Sequence, residues 1–118
     1  MGQVNWLAVV LAALAAGVVA WPWYHLLGRA VPRVWRLAAL IVPATMAGHN
    51  FARIDPTHLV AKPWLYWMMT GGLALAIIIP AQVLADGRHG TPMRETLIDA
   101  GYWLVAFLAM GTVFWAMA

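Results

Sequence analysis

Apolar residues run along this chain in stretches of about twenty, and the polar positions fall between the stretches instead of alternating within them. The first stretch, residues 4–27, holds no charged side chain before Arg29. A helix rises about 1.5 Å per residue, so roughly 20 apolar residues cross the ~30 Å hydrocarbon layer of a bilayer. The pattern predicts four such helices, at residues 4–27, 34–50, 63–85 and about 97–117, and hence an all-α, four-helix transmembrane bundle in a single domain. The second stretch is short: it reaches only about 25 Å and has Pro43 near its middle. The connections are residues 28–33, 51–62 and 86–96.

Local signals mark the ends. Asp55 before Pro56 predicts an N-cap followed by a first helical position, and so a helical turn inside the second connection. Lys62 before Pro63 restarts the chain, because a residue preceding proline avoids helical angles. Asp86-Gly87 predicts the end of the third helix, with the glycine as C-terminal cap. Thr91-Pro92 predicts the start of the last helix, with Glu95 in its first turn, where the helix dipole favours an anion. Pro43 and Pro80 are expected to kink their helices, which lipid-embedded helices tolerate when neighbours satisfy the carbonyls set free.

Composition removes the soluble alternative. Of 118 residues, 64% are hydrophobic and 9% charged, against about 25% charged in a soluble domain. A domain of this length buries only about two-thirds of its surface, too little to hide so many apolar side chains. The basic excess, seven Lys and Arg against four Asp and Glu, forms no patch. Its residues sit between apolar runs and act as topology signals, so no nucleic-acid partner is expected. The chain has no cysteine, which excludes disulfides, thiolate nucleophiles and cysteine metal sites.

The opening segment is expected to remain as a helix and not to be removed as a secretion signal: Met1 to Trp6 offers no basic residue, and the apolar run exceeds the roughly 7–15 residues of a signal core. The eight Trp and three Tyr all fall near predicted ends. Trp21, Trp23, Tyr24, Trp35, Tyr102 and Trp103 are expected at one membrane interface. Trp6, Trp64, Tyr66, Trp67 and Trp115 are expected at the other. Arg29, Arg33, Arg36, Arg88 and Arg94 flank the first and third connections, and Arg53 and Lys62 lie in the second. By the positive-inside rule the first and third connections are cytoplasmic and both termini face outward.

The first helix is rich in alanine where leucine would be equally at home in lipid. Residues four apart share a helix face, and Ala8, Ala12, Ala16 and Ala20 form such a row, with Ala13 and Gly17 beside it. Two helices gain nothing in a bilayer by burying leucine, but small side chains allow close backbone approach. The row is therefore a docking face. The expected partner is another helix of the chain, such as one carrying Gly71 and Gly72 or Gly101, Ala106 and Gly111, with a separate protein as the alternative.

Candidate chemistry is sparse. His25, His49, His58 and His89 include no pair at the i,i+3 or i,i+4 spacing of helical metal ligands. His49, Asp55 and His58 are a weak candidate metal or proton site over the outer mouth. Asp99 is the single ionisable residue within the four stretches that invites a proton-coupling role; the plainer reading is an interfacial carboxylate reaching water or Arg94. Asn5, Thr45, Thr70, Gln82 and Thr112 are candidates for interhelical hydrogen bonds of about 1 kcal/mol each. No nucleophile–base pair, glycine-rich phosphate loop or paired embedded carboxylate is present, so no enzyme activity and no cofactor is expected.

The segments NWLAV at residues 5–9, Trp23-Tyr24 followed by LLGRA, and above all LIDAGYWLVAFLAMG at residues 97–111 resemble domain-of-unknown-function family 1761. The resemblance covers roughly half the chain and implies a small bacterial integral membrane protein of about four helices. The family usually carries Asn where this chain has Asp99 and often His where it has Trp103, so it implies no shared ligand or catalytic residue at those places. Together these readings point to a bacterial inner-membrane scaffold or accessory component whose partners are the lipid bilayer and a homo-oligomer or larger membrane complex. The rival is a small oligomeric transporter or channel, which needs Asp99, Gln82, Thr45 and Asn5 to converge. A metal- or haem-binding redox subunit is a third reading, resting on the outer histidines.

Overall fold

A computed structural model describes residues 4–28 and 34–117; Arg29 and Arg33, which carry part of the topology reading, lie outside the described residues. Among the described residues the chain is helical, with short connections and no strand. The elements are α1 (Trp6–Leu26), α2 (Val34–Leu37), a 3₁₀ turn (Ala38–Leu40), α3 (Ile41–Ala52), α4 (Pro56–Ala61), α5 (Leu65–Leu73), a π-helical stretch (Ala74–Ile78), α6 (Ile79–Arg88) and α7 (Met93–Ala116). Three helices are long and apolar enough to cross a membrane: Trp6–Leu26, Leu65–Arg88 and Met93–Ala116. The second predicted crossing is helical but broken into α2, the 3₁₀ turn and α3. Arg36 near its start and His49 and Asn50 near its end shorten its apolar run.

The prolines account for the irregular turns. A proline ring crowds the carbonyl four residues earlier and leaves it without its amide partner. For Pro43 that carbonyl belongs to Ala39, within the 3₁₀ turn; for Pro80 it belongs to Ala76, within the π stretch. Each helix changes its hydrogen-bond register where its proline demands it. Pro22 lies inside α1 without such a change.

Several predicted ends shift. Asp86 and Gly87 lie inside α6, which runs to Arg88. The glycine that ends it is Gly90, at φ +70°, a conformation that costs glycine little. Gly28, at φ +75°, ends α1 in the same way. The last helix begins at Met93 with Glu95 in its first turn. The helical turn expected after Asp55 is α4: Asp55 Oδ1 accepts the Thr57 amide at 2.9 Å, with Pro56 in the first turn.

The helices pack side by side in the order α3, α1, α7, α5–α6, each antiparallel to its neighbour. Small side chains fill the buried face of α1 and large ones its surface, while Phe51, Tyr66, Tyr102, Phe107, Met110 and Phe114 complete the core from the other helices. On α1 the row Ala8, Ala12, Ala16 and Ala20 is fully buried, whereas Leu14 and Val18 are 59% and 69% exposed. Lipid solvates the large apolar groups as well as a protein interior would, so space between helices goes to residues that let backbones approach. Gly48 on α3 meets Val9 of α1, Gly71 on α5 meets Leu108 of α7, and Gly111 on α7 lies against Thr70 and the Tyr66 carbonyl of α5.

Candidate functional site

Between α1 and α7 polar contacts recur at three levels. At one end the Asn5 side chain caps α1 through the Ala8 amide (3.1 Å) and donates to the Met117 carbonyl (3.4 Å). Midway the Tyr102 hydroxyl donates to the Ala16 carbonyl at 2.9 Å, reaching backbone that only an alanine row leaves accessible. Nearer the other end the Trp23 indole donates to the Ile98 carbonyl (2.9 Å) and the Tyr24 hydroxyl to Asp99 Oδ1 (2.8 Å). Gly101 makes this possible, because a Cβ there would lie 2.6 Å from the Trp23 ring. Arg94 donates to the Leu27 carbonyl at 3.2 Å, placing a cation at the negative end of α1. Asp99 was expected to reach water or Arg94; its hydroxyl partner is Tyr24, from α1.

A second set of contacts joins α7 to α5 and α6. Trp103 donates to Gln82 Oε1 (3.2 Å), Gln82 donates to Asp86 Oδ1 (3.0 Å), and the buried Thr96 hydroxyl donates to Asp86 Oδ2 (2.8 Å). At the far end Trp67 donates to the Thr112 hydroxyl at 2.8 Å. Thr45 and Thr70 bond instead to the carbonyls of Ile41 and Tyr66 in their own helices. Every buried side-chain nitrogen or oxygen among the described residues has a hydrogen-bond partner.

These bonds revise the aromatic assignment. Trp6, Trp21, Trp35, Trp64 and Trp115 are exposed, as interfacial rings should be. Tyr24, Tyr66 and Tyr102 are buried, and Trp23, Trp67 and Trp103 spend their N–H groups on other helices or side chains within the bundle. Sequence reading missed Asp86 and Thr96 as partners and Gly48 as a contact. The small residues Ala44, Ala47 and Gly48, at helical spacing, were the signal for Gly48. Gly17, expected on the docking face, is half-buried at its edge, where an added Cβ would make only an ordinary 3.9 Å contact with Leu40.

The histidines do not converge. His25 stacks on Trp21 with ring centroids 5.3 Å apart, and His49 meets Trp6 edge-on at 5.6 Å while Nδ1 lies 2.8 Å from the Thr45 carbonyl. Asp55 is occupied as the α4 cap, and the Thr57 amide and hydroxyl hold its carboxyl below the ordinary aspartate range. Among the described residues no three His, Cys, Asp or Glu side chains are grouped to hold a metal ion. Nor do the four polar residues of the transport reading meet: Asn5 pairs with Met117 at one end of α7, while Asp99 and Gln82 engage the other.

Two of the hollows on the surface are bounded by described residues. One, of about 530 Å³, lies between α1 and the 3₁₀–α3 junction and is lined by carbon, including Val10, Gly17, Val18 and Ile41. The other, of about 590 Å³, arises because α3 and α5 meet chiefly at one end, where Phe51 packs on Tyr66 (4.9 Å) and Phe114 (5.1 Å). Away from that contact the gap is walled by Leu37, Leu40, Pro43, Met46 and Ile78. Tyr24, Tyr102, Trp103 and Phe107 form its floor, and Arg36 lies at its end.

No protein-family model, curated protein or solved structure gives a significant match to this chain.

Proposed function

We propose that this chain is a four-span scaffold or accessory component of the bacterial inner membrane, without intrinsic catalysis. One observation carries the reading: the polar side chains between the helices are committed to structural hydrogen bonds, above all Tyr24–Asp99 and the Trp103–Gln82–Asp86–Thr96 chain. A transport pathway requires groups that exchange partners with a solute or proton. These groups instead hold helices in register, and the outer surface is left apolar. The fourth crossing would be residues 34–52, which run antiparallel to α1 as α2, the 3₁₀ turn and α3.

Mild-detergent purification of the tagged chain from a bacterial membrane, with identification of whatever co-purifies, tests the reading. A stoichiometric membrane partner, or a defined oligomer inactive in flux assays, is expected. Solute- or proton-dependent flux by the chain alone in proteoliposomes would replace it with the transporter reading.

A further inference from the structure

We propose that the cleft between α3 and the π-helical stretch is a binding site for one acyl chain of an anionic phospholipid, with the lipid phosphate held at Arg36. The walls and floor are apolar, from Leu40 and Pro43 on one side to Ile78 on the other, with Tyr102 and Phe107 beneath. The polar atoms of the floor are already engaged: Tyr24 with Asp99, Tyr102 with the Ala16 carbonyl, and Trp103 with Gln82. The floor therefore offers ring faces and carbon to an occupant.

Arg36 gives the cleft a charged end. Its guanidinium is exposed and lies 5.0 Å from the centroid of the exposed Trp35 ring, and an amphipathic ring of this kind belongs at headgroup depth. From Arg36 the α2–α3 wall continues to Met46, about 15 Å of helix, or half of the ~30 Å hydrocarbon layer. A phosphate on Arg36 would thus set one acyl chain along the cleft through one leaflet. The volume of about 590 Å³ lies within the range of ligand sites. Basic pockets between membrane helices hold anionic headgroups by the same attraction.

The full chain is reconstituted into phosphatidylcholine vesicles containing about a tenth phosphatidylglycerol, gently extracted and weighed by native mass spectrometry. One lipid per chain is expected, with the ratio of phosphatidylglycerol to phosphatidylcholine about fivefold that of the vesicle, the factor one basic side chain supplies near a charged headgroup. Arg36→Gln should keep the lipid and lose the enrichment. Ala39→Trp, from the exposed lining of the cleft, should lose the lipid. Ala38→Trp, which faces the other hollow, should retain both. Retained lipid matching the vesicle composition in the unmodified chain would overturn the proposal. So would enrichment that survives Arg36→Gln, lipid that survives Ala39→Trp, or a second protein chain in place of the lipid.

Discussion

The hydroxyl of Tyr24 on α1 donates to the carboxylate of Asp99 on α7 across 2.8 Å, so the one acidic residue that sequence placed within an apolar stretch is an anchor between two helices. Toward Tyr24 the position needs an acceptor, and an amide oxygen supplies one in nearly the same shape. Asp99→Asn should therefore change stability in detergent by less than about 0.5 kcal/mol, while Tyr24→Phe should cost about 1 kcal/mol. Asp99→Leu should cost more, about 1–3 kcal/mol, because it removes the acceptor of the Tyr24 hydroxyl between packed helices. Thermal melts of the three variants check the order, and an Asn variant as unstable as the Leu variant would mean that the charge itself is required.

Gly111 marks the closest approach of α7 to α5. A Cβ there would stand 2.8 Å from the Tyr66 carbonyl oxygen, a backbone atom with no flexible end to yield. Gly111→Ala should destabilise by about 1–3 kcal/mol, the usual cost of overpacking. Gly72→Ala, with open space around it, should be neutral or slightly stabilising, since alanine is the better helix former. Equal melting of the two variants would remove the close-packing explanation.

Ala12 is fully buried in the α1 row, whereas Val10 is 47% exposed. Ala12→Leu should force the helices apart and lower the yield of folded protein, at a cost of about 1–3 kcal/mol. Val10→Leu should leave it unchanged. Size-exclusion profiles and melts of the two variants distinguish a docking face from a general preference for small residues.

How much was legible in the chain follows from what periodicity can carry. The alanine row was visible because i,i+4 spacing fixes a shared face whatever the neighbour. The Asp55–Pro56 cap was visible because capping is local. The partners of Trp23, Trp67 and Trp103 were not, because an indole near a helix end looks the same whether its N–H meets a headgroup or another helix. Asp86 was read as a stop since an Asp-Gly pair commonly ends a helix, yet Thr96, ten residues further on, returns to bond its carboxylate within the bundle. The break in the second helical segment was only half legible: Pro43 announced a disturbance but not its form as a 3₁₀ turn.

Asp55 supplies a prediction about pH. Its carboxylate accepts the amide and hydroxyl of Thr57, which lower its pKa. A carboxyl with a lowered folded pKa stabilises above its unfolded value, and that contribution disappears as pH falls through the folded value. The α4 cap should therefore hold at neutral pH and loosen only in acid below the ordinary aspartate range. Amide exchange at Thr57 and His58 across an acid titration reads this directly, and Asp55→Ala should show the loosened state at every pH.

The number of membrane crossings bears most directly on the proposed architecture, because residues 34–52 decide between three and four. Alkaline phosphatase and green fluorescent protein, each fused after Ala118, report the side on which the chain ends. With four crossings and the first and third connections cytoplasmic, the phosphatase fusion is active and the fluorescent fusion dark. A bright fluorescent fusion with inactive phosphatase would contradict this, showing either that α2 and α3 do not cross or that the bundle is inverted.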